Sequence, residues 1–401
     1  MSDLDAYRAK ARAWLESVAP AYGKDALAGV TGEAHLAMGR RYQRAKFDAG
    51  FAGINWDPEW GGQGLSPLHK VIFEQEEMPF GMPMGYYGVS LGISVPVVMR
   101  FAQDRAWAKE RVLAALKGDE IWCQLFSEPS GGSDLAGVRT KAETDGNGWK
   151  LNGQKLWTTW AQHSDYGVII ARNDPTVPKH KGLTFFWVDM RAPGVEVRPF
   201  RLAAGDSHVN EVFFDDVKLT DGQRLSPVGG GFGTAMATLM IERYSASDPN
   251  GFGPPLDAVI DLARHSEVAG RPAIEDGRVR STIARSYALR AGLEAITTRA
   301  MKLMDAGMEP GPEGSINKLM SARSNQRICE MAIDLMGPQG LAWDRDGWPK
   351  ADWVSSWLSV PTLRIAGGAD EMLLNTIAEK ILGLPQDHRP DKGVPFNQIP
   401  A

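Results

Sequence analysis

Apolar residues recur at three- and four-residue spacing over Tyr7 to Val18 and Ala34 to Ala49, which predicts two amphipathic helices. The stretch Asn55-Trp-Asp-Pro-Glu-Trp-Gly-Gly-Gln-Gly64 follows as a loop stiffened by Trp and Pro. Helical spacing resumes over Ile72 to Pro79 and Tyr86 to Gln103. The pattern then changes. Lys141-Ala-Glu-Thr, the turn residues Asp145-Gly-Asn-Gly and Trp149-Lys-Leu predict a β-hairpin. Short β-rich runs follow at Tyr166 to Ala171, Leu183 to Asp189, Gly194 to Pro199 and Glu211 to Val217, as expected of a compact antiparallel β domain. Helical spacing returns over Phe232 to Arg243, Pro255 to Glu267, Arg278 to Asp305, Ser315 to Met336 and Ala369 to Leu382. From Pro385 the tail is rich in Pro, Asp and Lys and is expected to lie extended. The chain thus reads as α+β in three blocks: helices over 1–120, a β domain over 121–228 and a helical bundle over 229–401.

At 401 residues the chain has room for two or three domains. A net charge of −5 gives no general attraction to nucleic acid or anionic membranes, and no apolar run spans a bilayer. The acidic N-terminus does not read as a secretory signal. Cys123 and Cys329 cannot make a disulfide framework, so a reducing cytoplasmic setting is expected. The seven histidines show no metal-ligand spacing, and no metal is expected.

Two segments carry candidate chemistry. Leu125-Phe-Ser-Glu-Pro-Ser-Gly-Gly-Ser-Asp-Leu-Ala-Gly137 places Ser127 and Ser133 around a Glu-Pro turn and two glycines. Asn152-Gly-Gln-Lys-Leu-Trp-Thr-Thr159 is a strand whose alternation sends Trp157 and Thr159 to one face. Either alone reads as a β-domain turn or a buried Trp. Together they resemble the acyl-CoA dehydrogenase family, over nearly the whole chain. That resemblance implies the family's fold: an N-terminal helical domain, a middle antiparallel β domain and a C-terminal helical bundle. It also implies FAD, held by Gln124, Phe126, Ser127, Trp157 and Thr159, with Trp157 on the ring, the Thr159 hydroxyl at its edge and Ser133 facing a flavin phosphate or the CoA.

The run from Thr362 to Gly383 resembles the family's last flavin-contacting loop and helix, which implies contacts from Gly368, Ala369 and Glu371. Ala369 stands where a Thr is frequent and lacks its hydroxyl. By itself the run is a glycine turn opening a helix. In much of the family a Glu in this loop removes the substrate's α proton. Here that position is Gly367, which retains only the backbone amide that the family uses, with a flavin ribityl hydroxyl, to hold the thioester carbonyl. Other members carry the base in a Leu-x-x-Glu-Arg pattern, matched here by Leu239-Met-Ile-Glu-Arg243. The resemblance therefore assigns the base to Glu242 and an orienting role to Arg243. A helical Glu-Arg pair that only stabilises a helix is the plain alternative, and Asp370 and Glu371 are rival bases.

Two departures stand out. Many members have Arg-x-x-Phe-Gly after the base helix, where the Arg reaches a neighbouring subunit's flavin. This chain has Pro249-Asn-Gly-Phe-Gly253, leaving Arg278 or Arg280 as substitutes. Met336-Gly-Pro-Gln-Gly340 resembles another neighbour-flavin loop through Gly337, with Pro338 where Gly is frequent. Met78, Met82, Met84, Tyr86 and Tyr87 match the family's acyl-pocket wall and equally suit core packing. The expected activity is α,β-dehydrogenation of an acyl-CoA to a trans-2-enoyl-CoA, as in β-oxidation, with electrons passed to an electron-transfer flavoprotein. The expected assembly is a homotetramer, or a heterotetramer with a paralogous subunit. The alternatives are an oxidase-like relative and a non-catalytic subunit of a heteromer.

Overall fold

A computed structural model describes residues 3–245, 256–306, 308, 311–340 and 351–399. The chain divides into two compact units: residues 1–200, 207–242 and 389–401 in one, 201–206 and 243–388 in the other.

The first unit opens with α1 (Asp3–Tyr22), α2 (Gly32–Asp48) and α3 (Pro67–Glu77). The helix expected over Tyr86 to Gln103 is broken into a 3-10 turn at Gly85–Tyr87, a π turn at Ser90–Ser94 and α4 (Val95–Phe101). Pro96 has no N–H to donate and its ring crowds the preceding turn, which widens there. The widened turn is docked by two buried serines: the Ser90 hydroxyl accepts from Trp122 N at 3.1 Å, and Ser94 donates to Cys123 O at 3.1 Å. A further helix, α5 (Arg105–Leu116), starts at Asp104, whose side chain accepts from Trp107 N.

The β domain is a sheet of β1 (Trp122–Leu125), β2 (Lys141–Asp145), β3 (Gly148–Thr159), β4 (Tyr166–Arg172), β5 (Leu183–Asp189), β6 (Val195–Phe200) and β7 (Val209–Thr220). The hairpin β2–β3 turns at Gly146, whose φ of 59° is easy for glycine and strained for other residues. The sheet is mostly antiparallel, but β1 runs parallel to β4, and β2 meets β4 in parallel. The purely antiparallel expectation missed this because β1 reaches β4 only after the long 126–165 excursion, the length a parallel crossover requires.

One core of this unit joins α4 and α5 to the sheet through Val97, Val112, Trp122, Ile170 and Phe185, with Phe232, Ala235 and Leu239 of α6 (Gly231–Ser245) packed against it. Trp107 stacks on Trp187 at 4.1 Å, and Trp122 on Tyr166 at 4.8 Å. Such pairs add about 0.5–1.5 kcal/mol each beyond the area they bury.

The tail is not simply extended. Phe396 N donates to Val177 O and Asn397 N to Pro175 O, both at 2.9 Å, which ties it to the loop between β4 and β5.

The second unit comprises α7 (Leu256–His265), a small hairpin at Glu267–Val268 and Arg271–Pro272, α8 (Gly277–Asp305), α9 (Gly314–Met336), α10 (Ala351–Ser359) and α11 (Asp370–Thr376). The helix expected over Ala369 to Leu382 is α11 continued by a π turn at Ile377–Ile381. Leu256, Val259, Ile328, Ala332, Met336 and Trp353 form its core. Among the described residues no helix is long and apolar enough to cross a membrane.

Candidate active site

In the first unit the site grows from the loop that leaves β1. Reciprocal backbone bonds between Glu128 and Gly131, at 3.2 and 3.0 Å, close a tight turn around Pro129-Ser130. Leu156 N of β3 donates to Ser127 O at 2.8 Å. Between these, Lys155 Nζ donates to Phe126 O at 3.1 Å and to Glu128 Oε1 at 2.8 Å. The side chains of Lys155 and Glu128 are 0% and 3% exposed. Glu128 also accepts from Arg139 N and Thr140 N, at 2.5 and 3.0 Å. Burial alone would raise the Glu128 carboxyl, but Lys155 and these donors outweigh it and hold the group below its usual range. One buried ion pair therefore fixes the path of the Phe126–Glu128 backbone.

Two residues beyond Lys155, β3 loses its alternation. Lys155 pairs with Val212 and Thr158 with Asn210, so Leu156 and Trp157 together oppose a single residue. Trp157 has φ 62°, a left-handed conformation strained for a bulky side chain. The same-face placement expected from simple alternation therefore fails as a derivation, because the bulge resets it. Exposure still separates the residues: Trp157 is 54% exposed and Thr159 half-buried, while Thr158 is inside. The Trp157 ring meets Phe200 edge-on at 5.1 Å. Trp160 is also left-handed, at φ 58°, and lies 4.5 Å from Tyr86.

Gln124, Phe126, Ser127, Trp157 and Thr159 thus lie on segments that are bonded to each other or paired in one sheet. The Phe126 ring is buried against Phe185, so only its backbone is available to a ligand. Ser133 is exposed. The side-chain nitrogen of Gln124 is buried with no partner among the described residues. A buried donor without an acceptor is costly, and a polar ring edge would satisfy it. Gly132 leaves the Ser127 hydroxyl open, since a Cβ there would stand 2.9 Å from Ser127 Oγ. With an exposed Trp ring beside them, these features fit a flavin.

Of the residues matched to the acyl-pocket wall, Tyr87 is buried and donates to Gly118 O, and Met82 packs against the Phe51–Phe73 core. Met84 and Tyr86 pack around Ile121. Met78 is exposed.

Position 242 falls on α6, seven residues after Ala235 and three after Leu239. The side chains of Glu242 and Arg243, and the whole Pro249–Gly253 turn, lie outside the described residues.

In the second unit Gly367 and Gly368 have φ values of 65° and 100°, so the loop before α11 needs glycine at both positions. Lys318 Nζ donates to Gly368 O at 2.5 Å. Asp370, 4% exposed at its side chain, accepts from Arg364 at 2.7 and 2.9 Å and from Arg323 at 3.1 Å. Burial pushes this carboxyl up, but the two guanidiniums more than offset it and hold it below the usual range. Asp370 is thereby a poor base, which removes one rival to Glu242. Ala369 is the extended residue that precedes α11, and Glu371 is exposed in its first turn. Gly337 ends α9. The Arg278 side chain is 89% exposed beside Asp276, and Arg280 is exposed one turn into α8.

Because the folded Asp370 carboxyl is depressed, its stabilisation is complete above the unfolded pKa near ~3.9 and is lost as pH falls through the folded value. Asp370→Asn is expected to destabilise the second unit by about 1–3 kcal/mol at neutral pH and to flatten its acid limb. Urea unfolding at neutral and acidic pH checks both.

Sequence reasoning passed over Lys155, Glu128 and Arg172. Lys155 and Arg172 lie in strands beside Gln154 and Asn173, where a cation reads as solvent-facing. The visible signal was that Glu128 and Lys155 lie one inside each of the two motifs already singled out.

Family models match three consecutive stretches of the chain: the N-terminal domain of acyl-CoA dehydrogenase at residues 2–118, the middle domain at 123–217 and the C-terminal domain at 229–382. The chain is 34% identical to acyl-CoA dehydrogenase FadE34 of Mycobacterium tuberculosis over 350 residues, 86% of this chain but only 46% of that protein. It is 32% identical to acyl-CoA dehydrogenase IpdE1 of the same organism over 397 residues, 96% of this chain and 99% of the relative. Among solved structures, the Tcur3481-Tcur3483 steroid ACAD matches with a TM-score of 0.80 at 23% identity, over 96% of this chain and 99% of that one, a likeness of fold.

Proposed function

The chain belongs to the acyl-CoA dehydrogenase family, and on that premise we propose that it dehydrogenates an acyl-CoA between Cα and Cβ with FAD as cofactor. The observation that carries the flavin half is the 2.8 Å bond from Leu156 N to Ser127 O, which brings the serine loop beside the exposed Trp157, while the Gln124 side-chain nitrogen has no partner among the described residues. When bound, FAD supplies the acceptor for the β hydride. Trp157, Thr159, Ser127 and Gln124 would hold its ring, with Gly368, Ala369 and Glu371 as further contacts. Gly337 and Arg278 or Arg280 would serve a neighbouring subunit's flavin.

The chain's own chemistry is proton removal and charge stabilisation. Glu242 takes the α proton, which needs a carboxylate whose basicity is raised in a dry pocket. Arg243 orients the base or the thioester. The Gly367 amide donates to the thioester oxygen, where enolate charge develops. The product is a trans-2-enoyl-CoA, and an electron-transfer flavoprotein receives the electrons. A ring- or sterol-derived acyl group is favoured over a simple fatty chain, since one structural neighbour is described as a steroid ACAD.

A heteromeric assembly is the second reading. It is favoured by Pro249-Asn-Gly-Phe-Gly253, where the family's flavin-reaching Arg is missing, and by the paired designation of the steroid ACAD. The test is incubation of the purified chain, supplied with FAD and an artificial electron acceptor, with straight-chain and sterol-side-chain acyl-CoAs. Mass spectrometry of the thioester should show loss of two hydrogens. No such product from this chain alone, but product when a paralogous subunit is added, selects the heteromer. No product in either case refutes the dehydrogenase reading.

A further inference from the structure

We infer that residues 389–399 form a strap that positions the Ser133 turn for a diphosphate, the group that FAD and CoA share. This rests on the reading of Ser133 as a phosphate contact.

The turn after Ser133 is held from outside its own segment. Arg172, at the end of β4, is 4% exposed. Its Nη2 donates to Ala136 O at 2.5 Å, its Nε to Val138 O at 3.0 Å and its Nη1 to Lys179 O at 3.3 Å. Lys179 Nζ lies 2.8 Å from Asp134 Oδ2. Asp134, Ala136 and Val138, the residues that follow Ser133, are thereby tied to the β4–β5 region through two cations.

Both cations are completed by the tail. The Phe396 ring covers the Arg172 guanidinium, whose centre is 3.5 Å from the ring centroid, and Arg139 approaches the same ring at 5.6 Å. Asp391 Oδ2 is 2.5 Å from Lys179 Nζ. The tail is itself seated by the Phe396 and Asn397 backbone bonds and by a bridge between Pro178 and Pro395.

A guanidinium whose hydrogen bonds go to carbonyls gains from an aromatic face. Burial brings it down to about 10, with nearby carboxylates opposing the fall. Without Phe396 one face of Arg172 opens to water, and water competes for the donors that hold Ala136 and Val138. On its other side Ser133 is anchored by the Glu128–Lys155 pair. The strap supplies the second anchor, so Phe396 and Asp391 are positioning residues for the serine between them.

The test uses the full chain with Phe396→Ala, Phe396→Trp and Asp391→Asn variants, and a truncation before Arg389. FAD is titrated into deflavinated protein and CoA into FAD-loaded protein, by calorimetry. Amide exchange is followed at Gly137, whose N–H donates to Asp134 O at 2.8 Å. Phe396→Ala and the truncation should weaken one ligand about tenfold, or 1.4 kcal/mol, and speed exchange at Gly137. Phe396→Trp should restore both to within about twofold. Weakening confined to FAD names the flavin diphosphate as the group served; weakening confined to CoA names the substrate's. If Phe396→Ala lowers the Tm while both affinities and Gly137 exchange stay at wild-type values, the tail only stabilises the fold and the strap is refuted. If the wild-type chain binds neither ligand, alone or together with a paralogous subunit, the flavin reading falls and the strap with it.

Discussion

Lys155→Met is expected to destabilise the first unit by about 3–5 kcal/mol, the cost of leaving one partner of a buried ion pair without the other. For a unit of this size that lowers the Tm by roughly 10 °C. The loss has two parts. Glu128 keeps its charge in a site with almost no access to water, and Phe126 O loses its donor. The pH dependence should invert. In the wild type the Glu128 carboxyl is depressed, so its contribution is present above the unfolded pKa near ~4.3 and is lost as pH falls through the folded value. Without Lys155, burial is opposed only by the donors that remain, chiefly Arg139 N and Thr140 N, and is expected to raise that carboxyl. The variant should therefore recover stability on acidification and lose it as pH rises. Calorimetric melting across the acid-to-neutral range checks the sign. Glu128→Gln added to Lys155→Met should restore part of the loss, because no buried charge then remains.

Glu242→Gln is expected to reduce the rate of substrate dehydrogenation by about 10³-fold or more, about 4 kcal/mol, within the range a positioned general base contributes. FAD affinity and Tm should stay near wild type, since the amide matches the carboxylate in size and the flavin contacts come from other residues. Asp370→Asn serves as the comparison. Its carboxylate is committed to Arg364 and Arg323, so its loss should disturb the Gly367–Gly368 loop and the acid stability before it disturbs the chemical step. Single-turnover kinetics with saturating acyl-CoA separate the two. A rate for Glu242→Gln within a few-fold of wild type removes it as the base.

The elements whose periodicity is local were legible in the chain. β5 occupies Leu183–Asp189, as the β-rich run predicts, and α8 and α9 differ by one residue at their starts from the apolar spacing. Long-range pairings were not. The parallel contact of β1 with β4 leaves no mark in either strand. Pro96 was visible, but the widened turn before it also reflects two serines reaching β1. At the site, the motif residues were readable because their types are unusual together. Lys155 was not, because a lysine in an alternating strand normally points to water, and only its enclosure with Glu128 gives it a role. The bulge at Trp157 shows the limit of the period-two argument: one inserted residue cancels every face assignment beyond it. The docking of Phe396 on Arg172 joins positions 224 residues apart, and nothing near either residue signals it.

Flavin reduction by substrate is the decisive measurement for a flavin-dependent acyl-CoA dehydrogenase. The purified chain, expressed alone and supplied with FAD, is titrated anaerobically with a panel of acyl-CoAs while its visible spectrum is recorded. The expected result is a yellow protein that one class of acyl-CoA bleaches. A protein that stays colourless with FAD present, alone and together with a paralogous subunit, or a yellow one that no acyl-CoA bleaches in either form, is not an FAD-dependent acyl-CoA dehydrogenase.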